Sequence, residues 1–151
     1  MKTFIALAAA TATVLGTAAY AQDFKMPVQA RQGQFAVLAI NLGILGGMAR
    51  GATEYDAEAA QAAADSIVAV TMINQGPLWP EGSDSMSIDG TRAEPAIWEN
   101  LPDVLSKFGD LTMAAQELQA VAGTGQEAIG PALGKLGGTC KACHDNYRTP
   151  E

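Results

Sequence analysis

Histidine and cysteine are nearly absent from this chain, which has one histidine and two cysteines in 151 residues. So few cannot complete a zinc site on their own, because zinc takes four ligands, or three plus water. Cations are also scarce: nine Lys+Arg stand against sixteen Asp+Glu, a net charge of −7. Nucleic acid and anionic membrane surfaces both need clustered positive charge, so neither is an expected partner. No stretch alternates polar with apolar residues in the manner of a strand. What the chain has in quantity is apolar side chain, 48% of the total, which is more than a disordered chain carries. The length suits one compact domain.

The only strongly apolar run that reads as an address is at the N-terminus. Lys2 precedes an apolar stretch from Phe4 to about Leu15, and Ala19-Tyr20-Ala21 offers small residues where a signal peptidase reads. The stretch is shorter than the roughly 20 residues of a membrane span. Residues 1–21 are therefore expected to be a cleaved secretory signal peptide and 22–151 the mature domain, with a net charge of −8 once Lys2 is gone. That domain is expected in the periplasm, and no later segment is expected to cross a bilayer.

Spacing predicts four amphipathic helices. In the first, residues 26–50, Val28, Phe35, Leu42 and Ala49 recur every seven residues, interleaved with Arg31, Leu38 and Leu45. This is the seam of a helix in a bundle. A second apolar stripe of Val37, Ile40, Ile44 and Met48 predicts either a wide buried face or a dimer interface. The second helix, residues 57–74, has Asp56 as its N-cap and a core stripe of Ala60, Ala63, Ile67, Val70 and Ile73. A loop rich in Pro, Gly, Ser and Asp follows over residues 77–94, long enough to suggest a function, with Trp79 and Trp98 as anchors. The third helix carries Ile97, Leu101, Val104, Phe108, Leu111, Ala115, Leu118 and Ala122, with Pro102 near its start. The fourth carries Ile129, Leu133, Leu136, Cys140, Cys143 and Tyr147, and Pro131 argues that its regular part starts only near Gly130. The expected fold is all-α, an antiparallel up-down-up-down four-helix bundle.

Both cysteines and the histidine fall in one pentapeptide, Cys140-Lys141-Ala142-Cys143-His144. Cys-x-x-Cys-His is the attachment signature of c-type haem. Two thiols three positions apart share a helix face and can add to the two vinyl groups of one porphyrin. The imidazole of His144 then presents itself to the iron from the same side. Gly137-Gly138, one turn earlier, would leave room for the macrocycle. A thioredoxin-like pair normally opens a helix after a strand, and a disulfide closing so small a loop would restrain little of the unfolded chain. Opposite His144 there is no second histidine, and Met26, Met48, Met72, Met86 and Met113 read mostly as core or loop residues.

With that motif near the end of a four-helix bundle, the mature chain resembles the cytochrome c′ family over essentially its whole length. The resemblance rests on Ala30-Arg31-Gln32, on Tyr55-Asp56-Ala57-Glu58-Ala59-Ala60, on Pro77-Leu78-Trp79-Pro80, on Ala96-Ile97-Trp98 and, most specifically, on residues 136–148 around the haem motif. It implies one covalent haem c at Cys140 and Cys143, with His144 as the only axial ligand from the protein and a largely high-spin iron. Counting from Arg31, it places Phe35 over the vacant distal face, where related six-coordinate cytochromes have a ligating methionine. It puts Arg31 and Gln32 toward a haem propionate and Thr91 and Arg92 in a loop that contacts haem. Arg148, one helical turn after His144, is either a proximal-side residue or a solvated surface arginine. Arg31 sits on a core seam, where an unpaired charge costs several kcal/mol, so an anionic partner suits it. Two departures stand out: Pro131 interrupts the last helix, and a bulky Phe35 would narrow distal access.

The expected function is a haem protein with an open, apolar iron face, binding small diatomics such as nitric oxide and carbon monoxide and/or passing electrons to partner redox proteins. A six-coordinate electron carrier is the alternative. No distal acid or base is present to support nitric oxide or peroxide reduction, so no catalytic residue is expected. A homodimer through the first two helices is expected as well.

Overall fold

A computed structural model describes residues 24–150. The expected leader, residues 1–21, lies outside the described residues. The elements are α1 (Lys25–Ala49), α2 (Ala57–Thr71), a 3-10 turn at Gly76–Leu78, α3 (Ala96–Glu99), α4 (Leu101–Ala122) and α5 (Gln126–Tyr147). The four long helices pack in the ring order α1, α2, α4, α5. Polar ties fix their alternating directions. Gln126 donates to the Met48 carbonyl at 2.8 Å and Tyr55 to the Ala122 carbonyl at 3.0 Å, so these four residues share one end of the bundle. At the other end, Gln34 and Gln75 exchange two amide hydrogen bonds of 3.0 Å.

Local chemistry accounts for most of the boundaries. Asp56 caps α2, its carboxylate accepting from the Ala59 N–H at 2.8 Å, which satisfies one of the helix's unpaired donors. Between α1 and α2 the chain turns through Gly51 at φ +68°, a left-handed conformation that side chains resist. Three expectations need correction. α2 stops at Thr71 and leaves Ile73 42% exposed, so Ile73 is not in the core. The third helix is broken at Asn100 (φ −128°, ψ 39°) into α3 and α4, with Pro102 in the first turn of α4, where its missing N–H is tolerated but cannot bond back to carry α3 onward. α5, by contrast, begins at Gln126 and runs through Pro131. The ring of Pro131 costs one helical bond, but Gly130 before it has no Cβ to clash with the ring. Burial of Ile129, Ala132 and Leu136 holds the turn in place.

The main core runs along the bundle and is aliphatic, with Leu45, Ile67, Leu118, Ile129 and Leu136 essentially without solvent contact. Alanines at 60, 63, 64, 114, 115 and 122 let the helices approach closely. The α1 seam is as expected, with two additions: Gln34 is buried and so is Met48, which belongs to the core and not to the outer stripe. The rest of that stripe, Val37, Ile40 and Ile44, is 41–65% exposed. α1 is long and apolar enough to cross a membrane by length and composition, contrary to the expectation that no later segment is. In the bundle its apolar residues divide between the core and that exposed stripe.

Candidate haem site

A second, smaller core lies at the end of the bundle where α1 and α4 begin and α5 finishes. Ala93, Ile97, Val104 and Tyr147 are buried there, packed with Trp79, Trp98, Phe108 and Cys143. Aromatic edges interlock: Trp79 stands 6.4 Å from Trp98 and 6.3 Å from Phe108, centroid to centroid. Such contacts add about 0.5–1.5 kcal/mol each beyond the area they bury.

The haem motif straddles the two cores. Cys140 packs against the aliphatic core and Cys143, one turn on, against the aromatic one. Both cysteines are half-buried free thiols. Burial pushes both thiols above the ordinary cysteine value, so they stay protonated at neutral pH. A redox pair of the thioredoxin kind depends on the opposite shift. Among the described residues no group of three His, Cys, Asp or Glu side chains is assembled. His144 is held below its usual pKa, first by burial and then by the nearby Arg148 and Arg92 cations. Its imidazole is therefore neutral at pH 7, the form that ligates a metal.

The Phe35 ring on α1 faces the His144 ring edge-on, with centroids 6.4 Å apart and planes inclined by 72°. A Cβ built at Gly137 or Gly138 would meet nothing within 4 Å, so the flank of α5 before the cysteines is open. Two thiols on adjoining turns, a neutral imidazole beside them, an aromatic lid across from it and an open flank together suit a flat, covalently held haem. The residues present fit that group.

Arg31 is 2% exposed, and the loop supplies its partners. Its guanidinium donates to the Ser83 hydroxyl at 2.7 Å, to the Ser83 carbonyl and to the Thr91 hydroxyl at 2.7 Å, and lies 4.8 Å over the Trp79 ring. Burial lowers its pKa and the Asp84 carboxylate partly offsets that. The loop itself supplies neutral acceptors and an aromatic face for the charge, worth about 1–3 kcal/mol per charged hydrogen bond. Gln32 donates to the Gly90 carbonyl at 2.6 Å. Thus Arg31, Gln32 and Thr91 are brought together by the structure, and their bonds join α1 to the loop.

Arg92 belongs to a different group. Its side chain donates to the Thr149 carbonyl at 2.9 Å, and the Thr149 N–H returns a bond to the Arg92 carbonyl at 2.9 Å. With the Ala93–Arg148 bridge and the Glu94 N–H to Tyr147 carbonyl bond, these form a short antiparallel clasp. Arg92, His144 and Arg148 line one cavity of about 460 Å³, and an Arg148 N–H group lies 3.3 Å from His144 Nδ1. Ser83 and Gln75 are the site residues that sequence reasoning missed. Both lie in irregular backbone, where no periodicity distinguishes an inward side chain.

The profile of the cytochrome c′ family matches residues 26–148. Cytochrome c′ of Cereibacter sphaeroides is 38% identical over 142 residues, covering 94% of this chain and 95% of that one. The solved cytochrome c′ from Rhodobacter sphaeroides superposes with a TM-score of 0.82 at 37% identity, covering 86% of this chain and all of that one. A further cytochrome c′, described as having an unusual ligand-controlled dimer dissociation, superposes at 0.78 with 30% identity, covering 85% of this chain and 98% of its own. Motif, bundle and relatives agree over the whole described domain: the chain belongs to the cytochrome c′ family, and its cofactor is covalently bound haem c.

Proposed function

We propose that this protein is a periplasmic haem protein whose iron has His144 as its single protein ligand and keeps the opposite face open to small uncharged diatomics. Cys140 and Cys143 hold the haem through thioethers. Haem supplies an iron that can take a gas molecule and can cycle between ferric and ferrous states. The chain's residues set the terms: Phe35 covers the distal side with a ring that cannot ligate, and its bulk favours small, neutral ligands over water and anions. Arg148, beside the imidazole, sits on the proximal side. Arg31, Gln32 and Thr91 brace the loop at the haem's edge, with the Arg31 charge available to a propionate, and Arg92 braces the clasp.

The observation that carries this reading is Phe35 facing His144. The methionines support it: Met26, Met72, Met86 and Met113 are 58–85% exposed, and Met48 is buried near the opposite end of the bundle. Electron exchange with partner redox proteins is compatible with the same iron; a six-coordinate electron carrier is the rival. Absorption spectra of the ferric and ferrous protein, with and without carbon monoxide and nitric oxide, test it. High-spin spectra that change on adding either gas are expected, and a low-spin spectrum indifferent to both would refute the open iron.

The exposed Val37, Ile40 and Ile44 stripe on α1 supports a homodimer through α1 and α2. Ile40→Glu is expected to give monomers by sedimentation, and an unchanged mass would exclude this face.

A further inference from the structure

Phe35, Phe108, Trp79, Trp98 and Tyr147 pack at the haem end of the bundle, and they differ in one respect that matters for one-electron chemistry. Phe35 and Phe108 have no proton to release. Trp79 donates its indole N–H to the Gln75 amide oxygen at 3.1 Å, and Trp98 donates to the Trp79 carbonyl at 3.0 Å. Neither acceptor is a base. In addition the Arg31 cation lies 4.8 Å over the Trp79 ring, which opposes any positive charge there. Tyr147 is the fifth, 7% exposed, and its hydroxyl donates to the Asp103 carboxylate at 2.6 Å. Among the described residues, that carboxylate is the only anionic proton acceptor bonded to any of these rings. The Asp103 side chain is 53% exposed and lies 3.6 Å from Lys107, so a proton placed on it can reach solvent. Tyr147 also lies in the same small core as Cys143, one helical turn away from it.

We propose that Tyr147 is a built-in electron donor to the haem after stray oxidation by hydrogen peroxide, with Asp103 taking its proton. The proposal rests on the open-iron reading, since peroxide must reach the metal. Reduction of hydrogen peroxide to two waters takes two electrons and two protons, and bound haem would supply both electrons. Tyr147 gives back one of the two: its O–H bond breaks, the proton passes to the Asp103 carboxylate to give the carboxylic acid, a neutral tyrosyl radical remains, and one oxidising equivalent stays on the haem. Oxidation of a phenol is easy only when its proton leaves with the electron, which is what a carboxylate at hydrogen-bond distance provides. In the resting protein the same carboxylate pushes the phenol up to about 12, so the proton is on Tyr147 and ready for transfer.

The test is freeze-quench electron paramagnetic resonance on the haem-loaded ferric protein mixed with equimolar hydrogen peroxide. The wild type is expected to show a tyrosyl signal, which is lost in Tyr147→Phe and unaffected in Tyr55→Phe, whose hydroxyl binds only the Ala122 carbonyl. In Asp103→Asn the signal should form about a hundredfold more slowly, the order of effect of a positioned proton acceptor. Carbon monoxide binding by the ferrous form reports the open iron in the same preparations. A protein that binds carbon monoxide but yields no radical, or yields one undiminished in Tyr147→Phe, overturns the proposal alone. One that ignores carbon monoxide and yields no radical overturns both readings.

Discussion

The aliphatic core along the bundle and the aromatic core at its haem end share the same helices but are closed by different means. In the first, leucine, isoleucine and alanine from four helices meet with little or no solvent contact, and helix-to-helix packing is enough. In the second, a loop does much of the closing. Arg31, Gln32 and Gln34 hold it from α1, and the clasp to residues 147–149 holds it from the end of α5. Directional hydrogen bonds therefore replace interdigitated methyl groups where the cofactor is held. An oily core tolerates small rearrangement; a network of buried donors does not, because each group left unpaired costs about 1–3 kcal/mol.

Experiments can push on each half separately. The largest effect should come from Cys140→Ala combined with Cys143→Ala: no haem survives acid extraction, while circular dichroism retains helix from the aliphatic half. Haem that still resists extraction would break the assignment of the thiols. Next, Leu118→Ala should destabilise the protein by about 2–5 kcal/mol, as cavities in packed cores do, and leave the haem spectrum unchanged. A spectral change would mean that the two cores are not independent. Ser83→Ala should do the reverse, costing about 1–3 kcal/mol through the one buried Arg31 N–H it leaves unpaired while shifting the haem spectrum.

The smallest effect concerns acid. Asp84 accepts from the Ser87 hydroxyl and from the Met86 and Ser87 N–H groups, and its carboxyl titrates below the usual 3.8, chiefly because of the Ser87 hydroxyl bond. The unfolded chain thus takes up this proton first. The contribution is complete above about pH 4 and is lost as pH falls through the depressed folded value. Asp84→Asn should flatten that acid limb of the stability curve, and an unaltered limb would assign it to other carboxylates.

The two halves were also unequally legible. Heptad spacing disclosed the aliphatic seam, and Asp56 announced itself as a cap, because both are properties of residues near in sequence. Pro131 misled for the same reason: local propensity disfavours a helix there, while burial of Ile129, Ala132 and Leu136 sustains one. At the haem end the pentapeptide was legible as a chemical signature. Ser83 and Gln75 were not, since their roles arise from partners 41 to 52 residues away in sequence. Arg31 lay between these cases: its seam position showed that the charge needed a partner, but not that a serine, a threonine and a tryptophan would be there.

The clasp between residues 92–94 and 147–149 has a further consequence, one of timing. Any chain is made from its N-terminus, so α1, α2 and α4 can associate while the final residues are still missing. The loop cannot settle on its second support until those residues exist, and contacts so distant in sequence form late. The end of the molecule that holds the iron is therefore the last to be completed, and removing residues 148–151 should leave a bundle with its seams packed and its doorway unlatched.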